Sequence, residues 1–167
     1  SSRKTLLAAV GKARAAGSTI AFDPNYRPRL WRGRDEAQAA IVEALAVTDI
    51  ALPTFPDEQM LFGDDTPRAT AERLRQWVGE VVVKNGEQPA LIAENGSLQD
   101  VPAIHVAAPA DTTGAGDSFN GGYLAARLAG HNPQEAARRA HRVAAAVVQA
   151  RGALAPFETL RAAFGKP

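Results

Sequence analysis

The stretch ADTTGAGDSFNGGYLAARLAG, residues 110–130, is the part of the sequence that points most directly to a fold and a site. Gly114 and Gly116 permit a tight turn, and the small and apolar residues that follow have helical spacing. In such a loop, successive backbone N–H groups turn inward, and the helix beginning near Gly114 directs its positive dipole end to the same point. The stretch therefore predicts an anion-binding loop that opens a helix.

Asp117 lies in the first turn of this predicted helix, where the dipole favours a carboxylate that would nevertheless repel a bound phosphate. An acid in this place is explained as a general base that takes a proton from a hydroxyl attacking the phosphate. The other interpretation makes Asp117 a partner of the helix dipole and the glycines ordinary turn residues. The sequence lacks GxxxxGK[ST] and the third glycine of the dinucleotide fingerprint, which excludes P-loop and Rossmann sites.

Helical and strand-like segments alternate along the rest of the chain. Strands are predicted at 18–23, 49–53, 80–86 and near 103–107, with a hairpin that turns at Asn95-Gly96. Helices are predicted over about 4–16, 35–46, 56–63, 66–79 and 133–150, in addition to the one near 114. This alternation predicts an α/β fold with three αβα layers and a mostly parallel sheet, as a single domain over 1–167.

The composition is that of an ordinary globular protein, with 46% hydrophobic and 22% charged residues among 167. A net charge of +1 gives no electrostatic case for a nucleic-acid partner. The absence of cysteine excludes disulfides, thiolate catalysis and cysteine-ligated zinc. No apolar run approaches the ~20 residues that span a bilayer, so we expect no membrane partner and a cytoplasmic location.

The histidines are dispersed along the sequence, at His105, His131 and His141. This spacing argues against a histidine metal cluster, and we expect all three at the surface or at helix ends.

The segment DTTGAGDSFNGGYL, residues 111–124, closely resembles the C-terminal signature of the ribokinase-like, or PfkB, carbohydrate kinases. The segments PTFPDEQMLFGD, VVVKNGEQPALI and AAAVVQARGALAP resemble further landmarks of that family, in the same order. The resemblance implies a ribokinase-like fold and ATP-dependent phosphorylation of a sugar hydroxyl. It makes Asp117 the catalytic base and the backbone amides of Gly114, Ala115 and Gly116 the anion hole.

The resemblance also implies which residues meet the nucleotide. These are Lys84 and Gly86 at the end of a strand, and Gly152 and Ala153 on the adenine side. Ala145 and Val148 are small or apolar, as an adenine slot requires, although helix packing would explain them as well.

Two cation sites follow from the same resemblance. The Asn and Glu of the family's NxxE segment fall on Thr54 and Asp57, which leaves Glu58 as the alternative oxygen donor to a hydrated Mg²⁺. A helix N-cap with an acidic first turn would also explain these residues. Asp111 and Thr113 match positions that bind a monovalent cation such as K⁺ in some members, and an Asx-type turn is their other interpretation.

The segment FDPNYRPRLW, residues 22–31, gives the indication of substrate, since it most resembles the 2-keto-3-deoxygluconate kinases of this family. Arg27 offers bidentate hydrogen bonds to a carboxylate, which a sugar acid has and plain ribose or fructose lacks. Alternatively, Arg27 pairs with Asp23 and only fixes the loop. Fructokinase or ribokinase specificity is the competing expectation.

Kinases of this family are about twice as long, and their N-terminal half supplies a lid and most sugar contacts. We therefore expect a C-terminal portion without the N-terminal half and lid, which is inactive alone. Its expected partner is the missing half, held noncovalently, or a second copy on an exposed strand edge. The alternatives are a non-catalytic adenine-nucleotide binding module and a structural remnant without a ligand.

Overall fold

The structure, a computed structural model, describes residues 2–165, which divide into two compact units. The first unit contains the residues up to Asn85 together with Leu91–Leu98, and the second contains Gly86–Ala90 together with the residues from Gln99 onward. The single domain expected over 1–167 stays a prediction.

The helices are α1 (Ser2–Ala15), α2 (Arg34–Leu45), α3 (Phe55–Phe62), α4 (Pro67–Leu74), α5 (Ala115–Leu128), α6 (Pro133–Val147) and α7 (Phe157–Phe164). The strands are β1 (Ala21–Phe22), β2 (Ile50–Ala51), β3 (Glu80–Val83), β4 (Ala90–Glu94) and β5 (Ser97–Val101).

The five strands form one sheet in the order β1-β2-β3-β4-β5. The first three strands are parallel, with Ile50 opposite Ala21 on one side and Glu80 on the other, while β3 and β4 are antiparallel. The predicted hairpin turn lies at Asn95-Gly96, where φ angles of 49° and 79° match the left-handed conformation of a two-residue turn. The α/β class is confirmed, and the sheet is mixed.

The core of the first unit lies between β3 and helices α2 to α4. All four residues of β3 are buried, as is typical of an interior strand covered on both faces. Leu45, Leu61 and Leu74 each come from a different one of the three helices, and each is completely buried. This packing fixes the residues that follow the carboxyl ends of β1 and β3, where ligands of parallel sheets bind.

The predicted strand near 103–107 is wrong, because the chain has no regular structure there. Pro102 follows β5 directly and has no N–H to continue a strand ladder. The strands predicted at 18–23 and 49–53 are present, but each pairs over only two residues.

The second unit is built around the packing of α5 against α6. A Cβ atom on Gly122 would lie 3.1 Å from Cα of Ala140, so glycine permits the two helices to approach closely. Helix α7, which the sequence analysis did not predict, is held at its C-terminal end. There Arg139 and Arg142 donate hydrogen bonds to the last backbone carbonyls, including that of Phe164 at 3.2 Å from Arg139.

Within the described part of the chain, none of the helices has the length and apolar character needed to cross a membrane.

Candidate functional site

The predicted loop and helix are present in the second unit, at the start of α5. Gly114 is the N-cap of this helix with a φ of 76°, a left-handed conformation that disfavours other residues. A Cβ atom at this position would also lie 2.8 Å from the carbonyl oxygen of Ala153. Asp117 lies exposed in the first turn of α5, directly after Ala115 and Gly116. The chain therefore places a carboxylate beside a helix N-terminus whose conformation requires glycine.

The carboxylate of Asp111 connects this loop to the one between α6 and α7. One oxygen accepts the backbone N–H of Thr113 at 2.9 Å, and the other accepts that of Gly152 at 3.0 Å. Hydrogen bonds from the side chain and backbone of Thr113, and from Gly152, lower the pKa of Asp111. The Asx-type turn at Asp111 is thus present, whereas the monovalent cation role of Asp111 and Thr113 stays a prediction.

A pocket of about 190 Å³ lies in the same unit. It brings together Gly86, Ala145 and Val148, which the sequence analysis assigned to the nucleotide, with Thr112 and Ala115 of the loop region. The rest of its lining is largely apolar and comprises Glu87, Ala103, Ile104, Val106, Pro109, His141 and Ala144. An apolar slot with a few polar groups is a usual binding site for a flat ring, and this one extends to the first residue of α5.

Gly152 and Ala153 contact the loop rather than line this pocket. Gly152 donates its backbone N–H to Asp111, and Ala153 packs against Gly114. Their predicted contact with the nucleotide therefore stays a prediction, and what the structure shows is support for the loop at Gly114.

The prediction that His141 lies at the surface or at a helix end is wrong. It lies in the middle of α6 rather than at a surface or helix end, and only 8% of it is exposed. Its ring packs edge-on against Phe119, with 4.9 Å between ring centroids, and lines the pocket. Burial lowers the pKa of His141, and a hydrogen bond to the backbone carbonyl of Val101 partly opposes this effect. The expectation is confirmed for His105, which is exposed, and for His131, just beyond the end of α5.

A separate group of charged residues lies in the first unit, where β1 and β3 end. Nζ of Lys84 lies 2.6 Å from Asp23, and Arg27 contacts Asp57 at 3.3 Å. Asp23 thus pairs with Lys84 and Arg27 with Asp57, while the alternative expectation of an Asp23–Arg27 pair stays a prediction. The Lys84 side chain is 8% exposed, whereas the Arg27 side chain is 56% exposed.

The predicted magnesium donors lie at the start of α3. Thr54 is the N-cap residue, although its side chain makes no capping hydrogen bond. Burial raises the pKa of Asp57, and the charge and hydrogen bond of Arg27 offset part of this. Burial and the bond to Arg73 at 2.7 Å argue against the alternative assignment to Glu58, which stays a prediction. Among residues 2–165, no three histidine, aspartate or glutamate side chains gather as a metal site, so the role of Thr54 and Asp57 stays a prediction.

Comparison with known proteins shows which sequences and structures this chain resembles. Residues 1–160 match the model of the pfkB family of carbohydrate kinases. The 2-dehydro-3-deoxygluconokinases of Dickeya dadantii and Escherichia coli K12 are 44% and 43% identical to the chain, over 96% of its length and 53% of theirs. The structure of a fructokinase from Vibrio cholerae O395, with fructose, ADP and calcium bound, is 31% identical with a TM-score of 0.81. That match covers 91% of this chain and 51% of the fructokinase. The chain thus spans about half the length of the relatives it matches.

Proposed function

Because this chain belongs to the pfkB family of carbohydrate kinases, we propose that it supplies the nucleotide-binding and phosphoryl-transfer part of an ATP-dependent sugar or sugar-acid kinase. The observation that supports this most is the continuity, within the second unit, between an apolar pocket and the first residue of α5. A nucleotide needs a slot for its base next to donors for its phosphates, and the pocket and the loop at Gly114 are such a pair.

The loop residues have distinct roles in this proposal. The backbone amides of Gly114, Ala115 and Gly116 stabilise charge on the transferred phosphoryl group, helped by the dipole of α5. The exposed carboxylate of Asp117 takes the proton from the acceptor hydroxyl as that oxygen attacks. Asp111 holds the loop in place through its bonds to Thr113 and Gly152.

Cations belong to the proposal as well. Mg²⁺, when bound, would neutralise charge on the nucleotide phosphates. Thr54 and Asp57 in the first unit are the proposed donors, acting through water. K⁺ is proposed at Asp111 and Thr113, where the lowered pKa keeps the carboxylate charged.

The proposed substrate is 2-keto-3-deoxygluconate, converted to its 6-phosphate. The named activity of the two curated relatives supports this, as does Arg27, whose side chain is half-exposed and carries a group that can pair with a carboxylate. Fructose is the second candidate, because the similar structure of the Vibrio cholerae fructokinase, with a TM-score of 0.81, is described with fructose bound.

We also propose that the chain does not phosphorylate sugar by itself. Strand β1 is at the edge of the sheet, and Ala21 within it is exposed, so a further strand could pair there. The proposed partner is an N-terminal half held noncovalently or a second copy of this chain. Such a partner would complete the exclusion of water that phosphoryl transfer needs.

Nucleotide binding by the chain alone tests the proposal. We expect calorimetry to show ADP binding with a dissociation constant on the order of 1 mM, weak because only part of a complete site is present. Gly114→Ala should abolish this binding, since the new Cβ would clash with Ala153 and strain the backbone. Gly121→Ala, in the same helix with open space around it, is the matched control and should bind as the wild type does. Absence of ADP binding to the wild-type chain at several times this concentration would contradict the proposal.

Arg27→Leu tests the assignment of substrate in a complete enzyme that contains this segment. We expect the KM for a keto-deoxy sugar acid to rise about 10- to 100-fold, the size of a lost charge-assisted hydrogen bond, while the KM for a neutral sugar changes little. Arg29→Leu, at an exposed position two residues further on, is the control and should leave both values unchanged. An equal rise for both sugars would assign Arg27 to the loop or to the phosphate instead.

A further inference from the structure

Lys84 is a buried cation that directly follows β3. Its side chain is 8% exposed, and Nζ lies 2.6 Å from the carboxylate of Asp23, which directly follows β1. Because β2 lies between β1 and β3, this ion pair reaches across the end of the middle parallel strand. An ammonium that is buried and paired in this way has little surface left for a ligand. Its role therefore depends on what Asp23 holds in turn.

Asp23 fixes the start of the loop that carries Arg27. The carboxylate oxygen that does not face Lys84 accepts the backbone N–H of Asn25 at 3.0 Å, and Asn25 has a left-handed φ of 42°. Asparagine in this conformation is typical of turns that a neighbouring side chain stabilises. Tyr26 comes next and is buried in the core, and its carbonyl accepts a hydrogen bond from Arg27 at 2.8 Å. A chain of contacts thus leads from Lys84 to Arg27.

The backbone of Lys84 holds a second segment in the same place. Its carbonyl accepts the N–H of Phe55 at 2.8 Å, and Phe55 is the first residue of α3. Asp57, in the first turn of this helix, contacts Arg27 at 3.3 Å. Lys84 is therefore bonded to both of the segments that meet at Arg27.

We infer that Lys84 is a positioning residue for the sugar-acid site, which holds the Arg27 loop through Asp23, and that its ammonium does not bind the nucleotide. The inference rests on the proposed function, in which Arg27 pairs with the substrate carboxylate. A guanidinium makes two parallel bonds to a carboxylate only in a narrow range of geometries, so a loose loop would weaken this contact. The ion pair supplies the order without touching the substrate.

Lys84→Met keeps the unbranched apolar stem of lysine but leaves Asp23 without its cation. In a complete enzyme that contains this segment, we expect the KM for a keto-deoxy sugar acid to rise about 10-fold, the lower end of the effect expected for loss of the Arg27 contact itself. The KM for ATP and kcat should stay nearly unchanged, since substrate binding alone is weakened. A rise in the KM for ATP instead would assign Lys84 to the nucleotide and overturn the inference.

Arg14→Met is the matched control, because it also replaces the cation of an ion pair. Its partner Asp49 directly precedes β2, at the opposite end of that strand from the Lys84 pair, and lies 3.2 Å away. This variant should leave both KM values as in the wild type.

Asp23→Asn tests whether Lys84 acts through Asp23. The amide keeps an oxygen for Asn25 but removes the charge that pairs with Lys84, so we expect a rise in the KM for the sugar acid similar to that of Lys84→Met. The double variant should be no worse than either single variant, because both ends of one interaction are then removed. Fold-changes that multiply in the double variant would overturn the inference, since the two residues would then act independently.

Trp31 reports on the loop in the chain as it is. It follows the short 3₁₀ helix Pro28–Leu30 and packs partly buried against the core. The sequence has two tryptophans, so Trp77→Phe leaves Trp31 as the sole one. In that background Lys84→Met should shift the fluorescence emission to longer wavelength, while far-UV circular dichroism stays unchanged.

Unchanged Trp31 emission, or an unchanged KM for the sugar acid, would overturn the inference and leave the proposed function standing. The proposed function itself fails separately, if the complete unmutated enzyme does not phosphorylate any sugar or sugar acid.

Discussion

Asp117→Asn should lower kcat of a complete kinase that contains this segment by about 10²- to 10⁴-fold, the usual effect of losing a general base. The amide has the shape of the carboxylate but cannot accept the proton of the attacking hydroxyl. Affinity for ATP should stay nearly unchanged or rise slightly, since a negative charge leaves the start of α5, where we propose that phosphate binds. Steady-state kinetics with ATP and sugar varied separately would measure both quantities.

The alternative role for Asp117 is a simple partnership with the helix dipole, and Glu158→Gln is the matched control for it. Glu158 lies in the first turn of α7, as Asp117 does in α5, and both side chains are exposed. Each substitution removes one first-turn carboxylate, so the two variants should show similarly small changes in Tm. If Asp117→Asn kept nearly full turnover, the carboxylate would be structural and the proposed general base would lie elsewhere.

The loop at Gly114 could be predicted from the sequence because its conformation depends on residues that are close together in the chain. A left-handed φ, a tight turn and the first turn of a helix are encoded by neighbouring residues. The hairpin at Asn95-Gly96 was predictable for the same reason.

Features that depend on distant partners were not predicted. The sequence offered Glu58 as a candidate metal ligand but did not indicate its burial against Arg73, 15 residues further on. Helix α7 was missed, and its last turn is held by Arg139 and Arg142, more than 20 residues earlier. For His141 a signal was available, since Ala137 and Ala144 lie four residues before and three residues after it on one face of α6. A histidine in an apolar helical stripe is expected to be buried.

Arg73→Met should destabilise the chain by about 3–5 kcal/mol, the range found when one partner of a buried ion pair is removed. The guanidinium of Arg73 lies 2.7 Å from Glu58 and 2.6 Å from Asp64, and 3.9 Å above the ring of Phe62. Glu58 is completely buried, and its other oxygen has no hydrogen-bond partner among the described residues. Methionine fills much of the space but leaves an uncompensated carboxylate in the core. Urea unfolding would measure the loss.

Arg68→Met is the control for this substitution, and pH distinguishes a charge effect from a packing effect. Arg68 is on the same helix, but both side chains of its pair with Glu72, 3.9 Å apart, are exposed, so the loss of this pair should cost at most about 1 kcal/mol.

Burial already raises the pKa of Glu58 above its ordinary value, and loss of Arg73 would raise it further. Below the unfolded pKa, near 4.5, Glu58 is protonated in both states. As the pH rises above this value, the unfolded chain releases the Glu58 proton while the folded chain still holds it. The free energy of unfolding of the variant should therefore fall relative to wild type until the pH reaches the raised pKa of the folded state. If Arg73→Met lowered the free energy of unfolding by the same amount at pH 5 and at pH 8, Arg73 would stabilise the unit through packing and not through its charge.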